Sequence, residues 1–303
     1  MCWPPKRGQP SHIMNESRYR GRFAPSPTGP LHFGSLVTAV ASFLEARSHH
    51  GTWLVRIEDL DPLRESPEAT RQILASLDAH GLHSDEPVRF QSERHTHYQK
   101  LIDQLLDQGR AYRCACSRKE LREHGGRHPA HCRDGHANPG DQPFAVRFAL
   151  HDEHSVWQDQ LLGPQSQTVH AELDDPVILR KEGFYAYQLA VVADDIDQDI
   201  THVVRGSDLL DMTAQQQQID RALGAHPPHW MHIPVILNEQ GQKLSKQNHA
   251  PALDDALAQD NLEQALAALG QDMSRLSGAP DIDTLLERAA ADWAPERIHL
   301  TAR

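Results

Sequence analysis

The sequence predicts an α/β fold: a doubly wound parallel sheet, an insertion within it, and a short helical C-terminal region. Three observations predict it. A short strand, a periodic helix, an apolar strand and a capped helix follow one another between Tyr19 and Gly81, the alternation that builds parallel sheets. The alternation breaks over residues 110–175 and returns with Tyr187–Ala193 and His202–Arg205. After Lys246 only 57 residues remain, and they read as helical.

Residues 1–16 (MCWPPKRGQPSHIMNE) form a loose, Pro-rich and polar extension, within which Met14 offers a second start. Tyr19–Ala24 reads as a strand, ended by the Pro/Gly run from Pro25 to Pro30, because proline cannot continue a ladder. Leu36, Val37, Val40, Phe43 and Leu44 recur at helical spacing up to Gly51. Thr52–Ile57 is a buried strand. Ser66-Pro67-Glu68 starts a helix, with a capping hydroxyl, a first-turn proline and an acid facing the dipole, and Gly81 ends it. A further helix spans residues 94–108, and Phe144–Leu150 reads as a strand inside the insertion. A helix starts at Asp208, and Ile282, Leu285, Leu286, Ala289, Ala290 and Trp293 form an apolar stripe. The resulting segments are 1–16, 17–109 as the first half of the sheet domain, 110–185 as the insertion, 186–250 as the second half, and 251–303 as the helical end.

Composition narrows the function classes. Hydrophobic residues at 39% and charged residues at 24% exclude a disordered or fibrous chain. No apolar run is long enough to span a membrane and no hydrophobic signal core opens the chain, so a cytoplasmic location without membrane contact is expected. The net charge of −12 argues against nucleic-acid binding only as an average. Residues 1–150 carry 20 basic and 17 acidic side chains, against 10 and 25 in residues 151–303, so one half can meet a polyanion. Cys114, Cys116 and Cys132 fall within 19 residues, which in a chain without an export signal suggests metal rather than disulfides.

Neither of the two commonest glycine-rich phosphate loops is present. Instead, Pro30-Leu31-His32-Phe33-Gly34-Ser35 sits at a strand-to-helix turn, where free N–H groups and His32 can meet phosphate oxygens. Over 200 residues later, Lys243-Leu244-Ser245-Lys246-Gln247 follows Gly241, and both lysines can stabilise charge on a displaced phosphate. Cys114, Cys116, His128 and Cys132 suit a tetrahedral Zn²⁺ as three thiolates and an imidazole, with His124, His131 and His136 as alternative fourth ligands and three reduced cysteines without metal as the competing reading. Residues 110–133 also carry seven basic and two acidic side chains, a candidate surface for a nucleic-acid backbone or simply a solvated face.

Taken together, the segment from Arg22 to Ser35 resembles the opening of class I glutamyl-tRNA synthetases, including their "HIGH" element. Lys243–Gln247 resembles their "KMSKS" element, and Arg56-Ile57-Glu58-Asp59-Leu60-Asp61 and Val204-Arg205-Gly206-Ser207-Asp208-Leu209 match in the same order. The length leaves no room for a long anticodon-binding region. With the Cys-x-Cys cluster and the Lys-Leu-Ser-Lys-Gln-Asn-His-Ala-Pro-Ala segment, the chain is more similar to the short glutamyl-Q tRNA(Asp) synthetase family.

The resemblance implies a Rossmann-like catalytic domain with a zinc-bearing insertion, one Zn²⁺ per chain, and ATP with Mg²⁺ as substrate. It implies activation of L-glutamate without tRNA, then transfer to the queuosine base of tRNA(Asp). Arg22 and Arg205 would clamp the glutamate side-chain carboxylate, with a structural ion pair as the competing reading. Glu58 would receive the ammonium; Phe23, Ala24, Pro25 and Ser26 would line the amino-acid pocket, and Tyr187 would hydrogen-bond the substrate. His32, Gly34, Ser35 and Lys246 would hold ATP, with Lys243 supporting catalysis. Two alternatives stand beside this: a truncated conventional glutamyl-tRNA synthetase, and a non-catalytic paralogue that binds tRNA or glutamate.

Overall fold

The computed structural model describes residues 19–123, 125, 130–133, 142–237 and 251–300. Strand β1 (Arg20–Phe23) feeds the Pro-rich turn, after which helix α1 (Phe33–Ser48) crosses to strand β2 (Thr52–Ile57). The two strands pair in parallel, from Arg20 opposite Thr52 to Phe23 opposite Val55. Helix α2 (Pro67–Ala79) begins as its sequence dictates: Ser66 Oγ accepts from the Ala69 N–H at 3.1 Å, and Pro67 fills the first turn. Gly81 ends it at φ 67°, where an added Cβ would meet Ile282 Cγ2 at 2.8 Å. Strand β3 (Arg89–Phe90) joins β2 in parallel, and helix α3 (His95–Asp107) follows.

The middle of the chain builds two things. Strands β4 (Ala111–Cys114), β5 (Ala145–Phe148) and β8 (Val177–Leu179) form an antiparallel sheet, with short helices α4 (Arg118–Glu123) and α5 (Ala130–Arg133) between the first two. Strands β6 (Glu153–Asp159) and β7 (Gly163–Val169) form a hairpin whose β6 also pairs in parallel with a later strand. That hairpin was not foreseen, because its strands are half exposed and carry few apolar residues to mark the alternation.

Helix α6 (Tyr187–Asp197), strand β9 (His202–Gly206), helix α7 (Thr213–Ala222) and strand β10 (His229–Ile233) resume the parallel pattern. The expected helix at Asp208 begins as a tight 3-10 segment, Ser207–Met212, and becomes an α-helix only at Thr213. The Leu209 carbonyl accepts a hydrogen bond from Arg205 at 3.1 Å, which draws that turn toward the sheet. Helices α8 (Ala258–Ala268), α9 (Met273–Leu276) and α10 (Ile282–Ala291) close the described chain.

The strand order is β3-β2-β1 in one sheet and β9-β10-β6-β7 in the other. The two sheets meet edge to edge at β1 and β9, where the Thr201 N–H donates to the Arg20 carbonyl at 3.0 Å. From that seam the chain winds outward in both directions. A doubly wound sheet opens a crevice at the carboxyl ends of the strands where the order reverses, here those of β1 and β9. Helix α1 covers one face, and α8 and α10 pack against α1, so the C-terminal helices share the main core. Leu36, Leu44, Trp53, Ile57, Leu266 and Leu285 are fully buried there. Each such aliphatic side chain stabilises the fold by about 1.5–3 kcal/mol.

Candidate active site

A cavity of about 670 Å³ opens at this crevice. The end of β1 and the turn after it supply Arg22, Phe23, Ala24, Pro25 and Ser26. His32, Gly34 and Ser35 come from the start of α1, Glu58 from the end of β2, Tyr187 from the start of α6, and Arg205 from β9. Backbone bonds fix the turn: the Glu58 N–H donates to the Pro25 carbonyl at 3.0 Å and the Ser66 N–H to Pro27 at 3.1 Å. Gly206 lets the chain approach its own next turn, since a Cβ there would run into the Asp208 carboxylate.

His32 is the N-cap of α1, its Nδ1 accepting from the Ser35 N–H at 3.2 Å. The first turn of α1 holds no acidic side chain of its own to offset the positive end of its dipole. His32 also bridges to Ala252, and the Leu253 N–H donates to the Leu31 carbonyl at 3.0 Å. The lysine-bearing segment is thereby flanked at the site on both sides, because Ile236 lines the cavity and Ala252 lies against His32. Lys243, Lys246 and His128 themselves lie outside the described residues.

The two arginines differ in their partners. Arg22 forks onto Asp195, with Nε 3.0 Å from Oδ1 and Nη2 3.2 Å from Oδ2. The ion-pair reading is therefore realised for Arg22, while the residue still faces the cavity. Arg205 hydrogen-bonds no carboxylate among the described residues. Its Nε donates to His232 Nε2 at 2.9 Å, Nη1 to Gln216 Oε1 at 2.7 Å, and Nη2 to Thr213 Oγ1 at 2.9 Å and to Leu209. Burial pulls its pKa below the ordinary arginine value, with partial compensation from neighbouring Tyr187. A buried cation held only by neutral acceptors is complementary to an incoming carboxylate.

Arg56 lies fully buried beneath the floor of the site. It donates to Asp195 at 2.8 Å and to Gln198 at 2.9 Å, and sits only 3.6 Å from Glu58 without a hydrogen bond to it. Burial alone would raise Asp195, but Arg22 and Arg56 outweigh it and hold that carboxyl below the usual range. Glu58 fares differently: burial pushes it up to about 7 against the weaker pull of Arg56 and Arg22. Its Oε1 is buried without a hydrogen-bond partner. Glu58 also lines the cavity, where its carboxyl group can meet an ammonium, which supplies both charge and donors.

Sequence reasoning missed Asp195 and His232. Asp194-Asp195 at the end of the apolar run of α6 was the available signal, since two acids in a buried helix face need cationic partners. For His232 the signal was weaker, a histidine inside the short strand of the unforeseen β10.

The cysteines converge away from this cavity. The Sγ atoms of Cys114, Cys116 and Cys132 lie within 4.8 Å of one another, and Cys116 and Cys132 stand 3.5 Å apart without a disulfide. Tetrahedral Zn²⁺ thiolates stand about 3.8 Å apart, given a Zn–S distance near 2.3 Å. Burial and the neighbouring sulfurs push the Cys132 thiol well above the usual range. The donor set therefore fits a soft divalent cation, which would supply the charge that allows three adjacent thiolates. The basic stretch around it is partly committed to the fold. Arg133 pairs with Asp175 at 3.0 Å and Arg110 lies over Phe148, whereas Arg113, Lys119 and Arg122 are exposed.

The fold and cavity are those of an enzyme that activates an amino acid at a doubly wound crevice. The family of class I tRNA synthetases (E and Q), catalytic domain, matches residues 18–270, and the chain belongs to it. Within that family the chain is similar to proteins named glutamyl-Q tRNA(Asp) synthetase. It is 49% identical to that of Xanthomonas axonopodis pv. citri, covering 94% of each chain. It is 46% identical to that of Pseudomonas putida KT2440, over 95% of this chain and 96% of the relative. Among solved structures, the glutamate tRNA ligase of Elizabethkingia meningosepticum, crystallised in complex with its amino acid, superposes with a TM-score of 0.77 at 26% identity. That match covers 93% of this chain and 66% of the ligase, so the chain spans about two thirds of the ligase's length. No described helix is long and apolar enough to cross a membrane.

Proposed function

We propose that the chain activates L-glutamate with ATP, without tRNA, and transfers it to the queuosine base in the anticodon loop of tRNA(Asp). The observation that carries the glutamate reading is one cavity holding Arg205, whose described hydrogen-bond partners are all neutral, together with the buried carboxylate of Glu58. Arg205, with Arg22 beside it, takes the side-chain carboxylate, and Glu58 takes the ammonium. Glutamine would lose the charge-assisted pairing, which is the source of discrimination. Tyr187, on the same cavity wall and within electrostatic reach of Arg205 and Glu58, hydrogen-bonds the substrate. Phe23, Ala24, Pro25 and Ser26 form the wall.

The glutamate α-carboxylate then attacks the α-phosphorus of ATP, releasing pyrophosphate and leaving glutamyl-adenylate. Positioning and charge stabilisation dominate such a step. His32, Gly34 and Ser35 at the start of α1 hold the phosphates, with Lys243 and Lys246 neutralising the charge that develops. Mg²⁺ bound with the nucleotide would supply further positive charge to the phosphates. A hydroxyl of the queuosine cyclopentene ring next attacks the activated carbonyl and AMP departs. Cys114, Cys116 and Cys132, with His128, would hold one Zn²⁺, which would cross-link the insertion, and the exposed Arg113, Lys119 and Arg122 of that insertion contact the tRNA backbone. A cytoplasmic location, where ATP and tRNA meet, goes with these partners.

Two assays test this together. Glutamate-dependent ATP–pyrophosphate exchange is expected without any RNA; its absence would favour a non-catalytic or tRNA-dependent protein. Labelled glutamate transfer is expected only into queuosine-containing tRNA(Asp), and periodate cleavage of the queuosine diol should abolish it. Transfer that ignores queuosine would indicate conventional charging instead.

A further inference from the structure

We infer that Asp159 and His232 form a buried relay that orients Arg205 for the substrate carboxylate, making both of them positioning residues for glutamate selection. The inference rests on the glutamate reading above and adds two residues to it.

The geometry follows from strand register. His232 on β10 is the direct parallel partner of Arg205 on β9, and Trp230, two residues earlier on the same face of β10, is the partner of Asp159 on β6. These neighbours bring three polar side chains into line under the cavity. Arg205 Nε stands 2.9 Å from His232 Nε2, and His232 Nδ1 stands 2.6 Å from Asp159 Oδ2. All three are buried, Asp159 and His232 completely, and Trp230 stacks its ring 4.4 Å from the guanidinium carbon.

The donor inventory then fixes the direction of every bond. A guanidinium has no acceptor, so Arg205 Nε–H must donate and His232 Nε2 must carry the lone pair. The ring proton therefore sits on Nδ1 and donates to Asp159. Asp159 is anchored in turn by the N–H groups of Leu161 and Leu162, at 3.1 and 2.9 Å, and of His232 itself. A carboxylate thus selects an imidazole tautomer, and the imidazole selects the rotation of the arginine. The Arg205 bonds to Gln216, Thr213 and Leu209 complete the cradle. Placing the carboxylate one ring away aligns the cation without neutralising it, which leaves the charge available to substrate. Arg22, whose fork is taken directly by Asp195, lacks that freedom.

Asp159→Asn keeps the shape and the acceptor for Leu161 and Leu162. Its amide faces the ring with a donor, so the ring flips its proton to Nε2, opposite the Arg205 N–H. The effect is that of a wrong tautomer beside an otherwise intact site. His232→Leu removes the link, whereas His232→Gln can accept from Arg205 with its oxygen and donate to Asp159 with its nitrogen.

Pyrophosphate exchange with purified enzymes, scored separately for glutamate and ATP, tests the relay. Asp159→Asn and His232→Leu should each raise the glutamate KM by about tenfold or more, with the ATP KM within about twofold of wild type. His232→Gln should recover most of the loss, and the preference for glutamate over glutamine should fall with the first two variants only. Thermal melting accompanies each measurement. If the wild type exchanges and the glutamate KM of both disruptive variants stays within twofold, the relay is wrong while the glutamate reading stands. Equal rises in both KM values, or a His232→Gln variant as damaged as His232→Leu, would reduce the pair to a structural role. A wild type with no glutamate-dependent exchange would overturn the glutamate reading, and the relay with it.

Discussion

Glutamate affinity should depend on pH through Glu58, and the size of the dependence follows from its burial. The carboxyl lies 7% exposed, its Oε1 without a hydrogen bond, and burial raises it to about 7 despite Arg56 at 3.6 Å. Only the ionised form pairs with the substrate ammonium. Affinity is therefore fully present well above pH 7 and is lost as pH falls through that value. At pH 6 about one molecule in eleven holds the ionised form, and at pH 8 about ten in eleven do, so the apparent Kd should be about tenfold weaker at pH 6. Both substrate carboxylates stay ionised across this window. Isothermal titration calorimetry with glutamate alone, at pH 6, 7 and 8, reads the effect without ATP or RNA. Glu58→Gln should weaken binding on the order of tenfold at pH 8 and flatten the profile. A wild-type Kd constant from pH 6 to 8, or a Glu58→Gln variant with the wild-type slope, would refute the assignment of Glu58 to the ammonium.

Further outcomes follow from other parts of the molecule. Arg205→Lys keeps the charge but not the fork, and should raise the glutamate KM by about a hundredfold in exchange assays while the ATP KM barely moves. Ser66→Ala removes the cap of α2 and should cost about 1 kcal/mol by chemical denaturation, with exchange kinetics unchanged. Arg56→Met removes one of the two arginines on Asp195 and leaves Arg22 as the other; a loss of about 1.5–3 kcal/mol in the same experiment is expected. Cys132→Ser should abolish stoichiometric zinc in X-ray fluorescence, where the wild type should show one ion per chain.

Much of this architecture was legible because local signals and tertiary needs agreed. Thr52–Ile57 is apolar save Thr52 and Arg56, and it forms a central strand buried on both faces. Ser66-Pro67-Glu68 named its own helix start, and the motifs at Arg22–Ser35 and Arg205 placed their residues around one cavity. The rest depended on pairing that no short stretch encodes. The hairpin of β6 and β7 is polar and half exposed, and β10 is five residues long between prolines at 228 and 234. Its identity as a strand appears only when it lies between β9 and β6. The line from Asp159 through His232 to Arg205 spans three strands, so it exists in register and not in sequence. The partner of Arg22 was hidden for a related reason: several acids could have reached it, and only the packing of α6 chooses Asp195.

The central claim is the destination of the glutamyl group. Radiolabelled glutamate, ATP and the enzyme should be incubated with queuosine-containing tRNA(Asp), and the product digested into fragments that separate the anticodon loop from the 3′ end. The account predicts label on the anticodon-loop fragment alone, and none when the same tRNA lacks queuosine. Label on the 3′-terminal ribose, with or without queuosine, would contradict it.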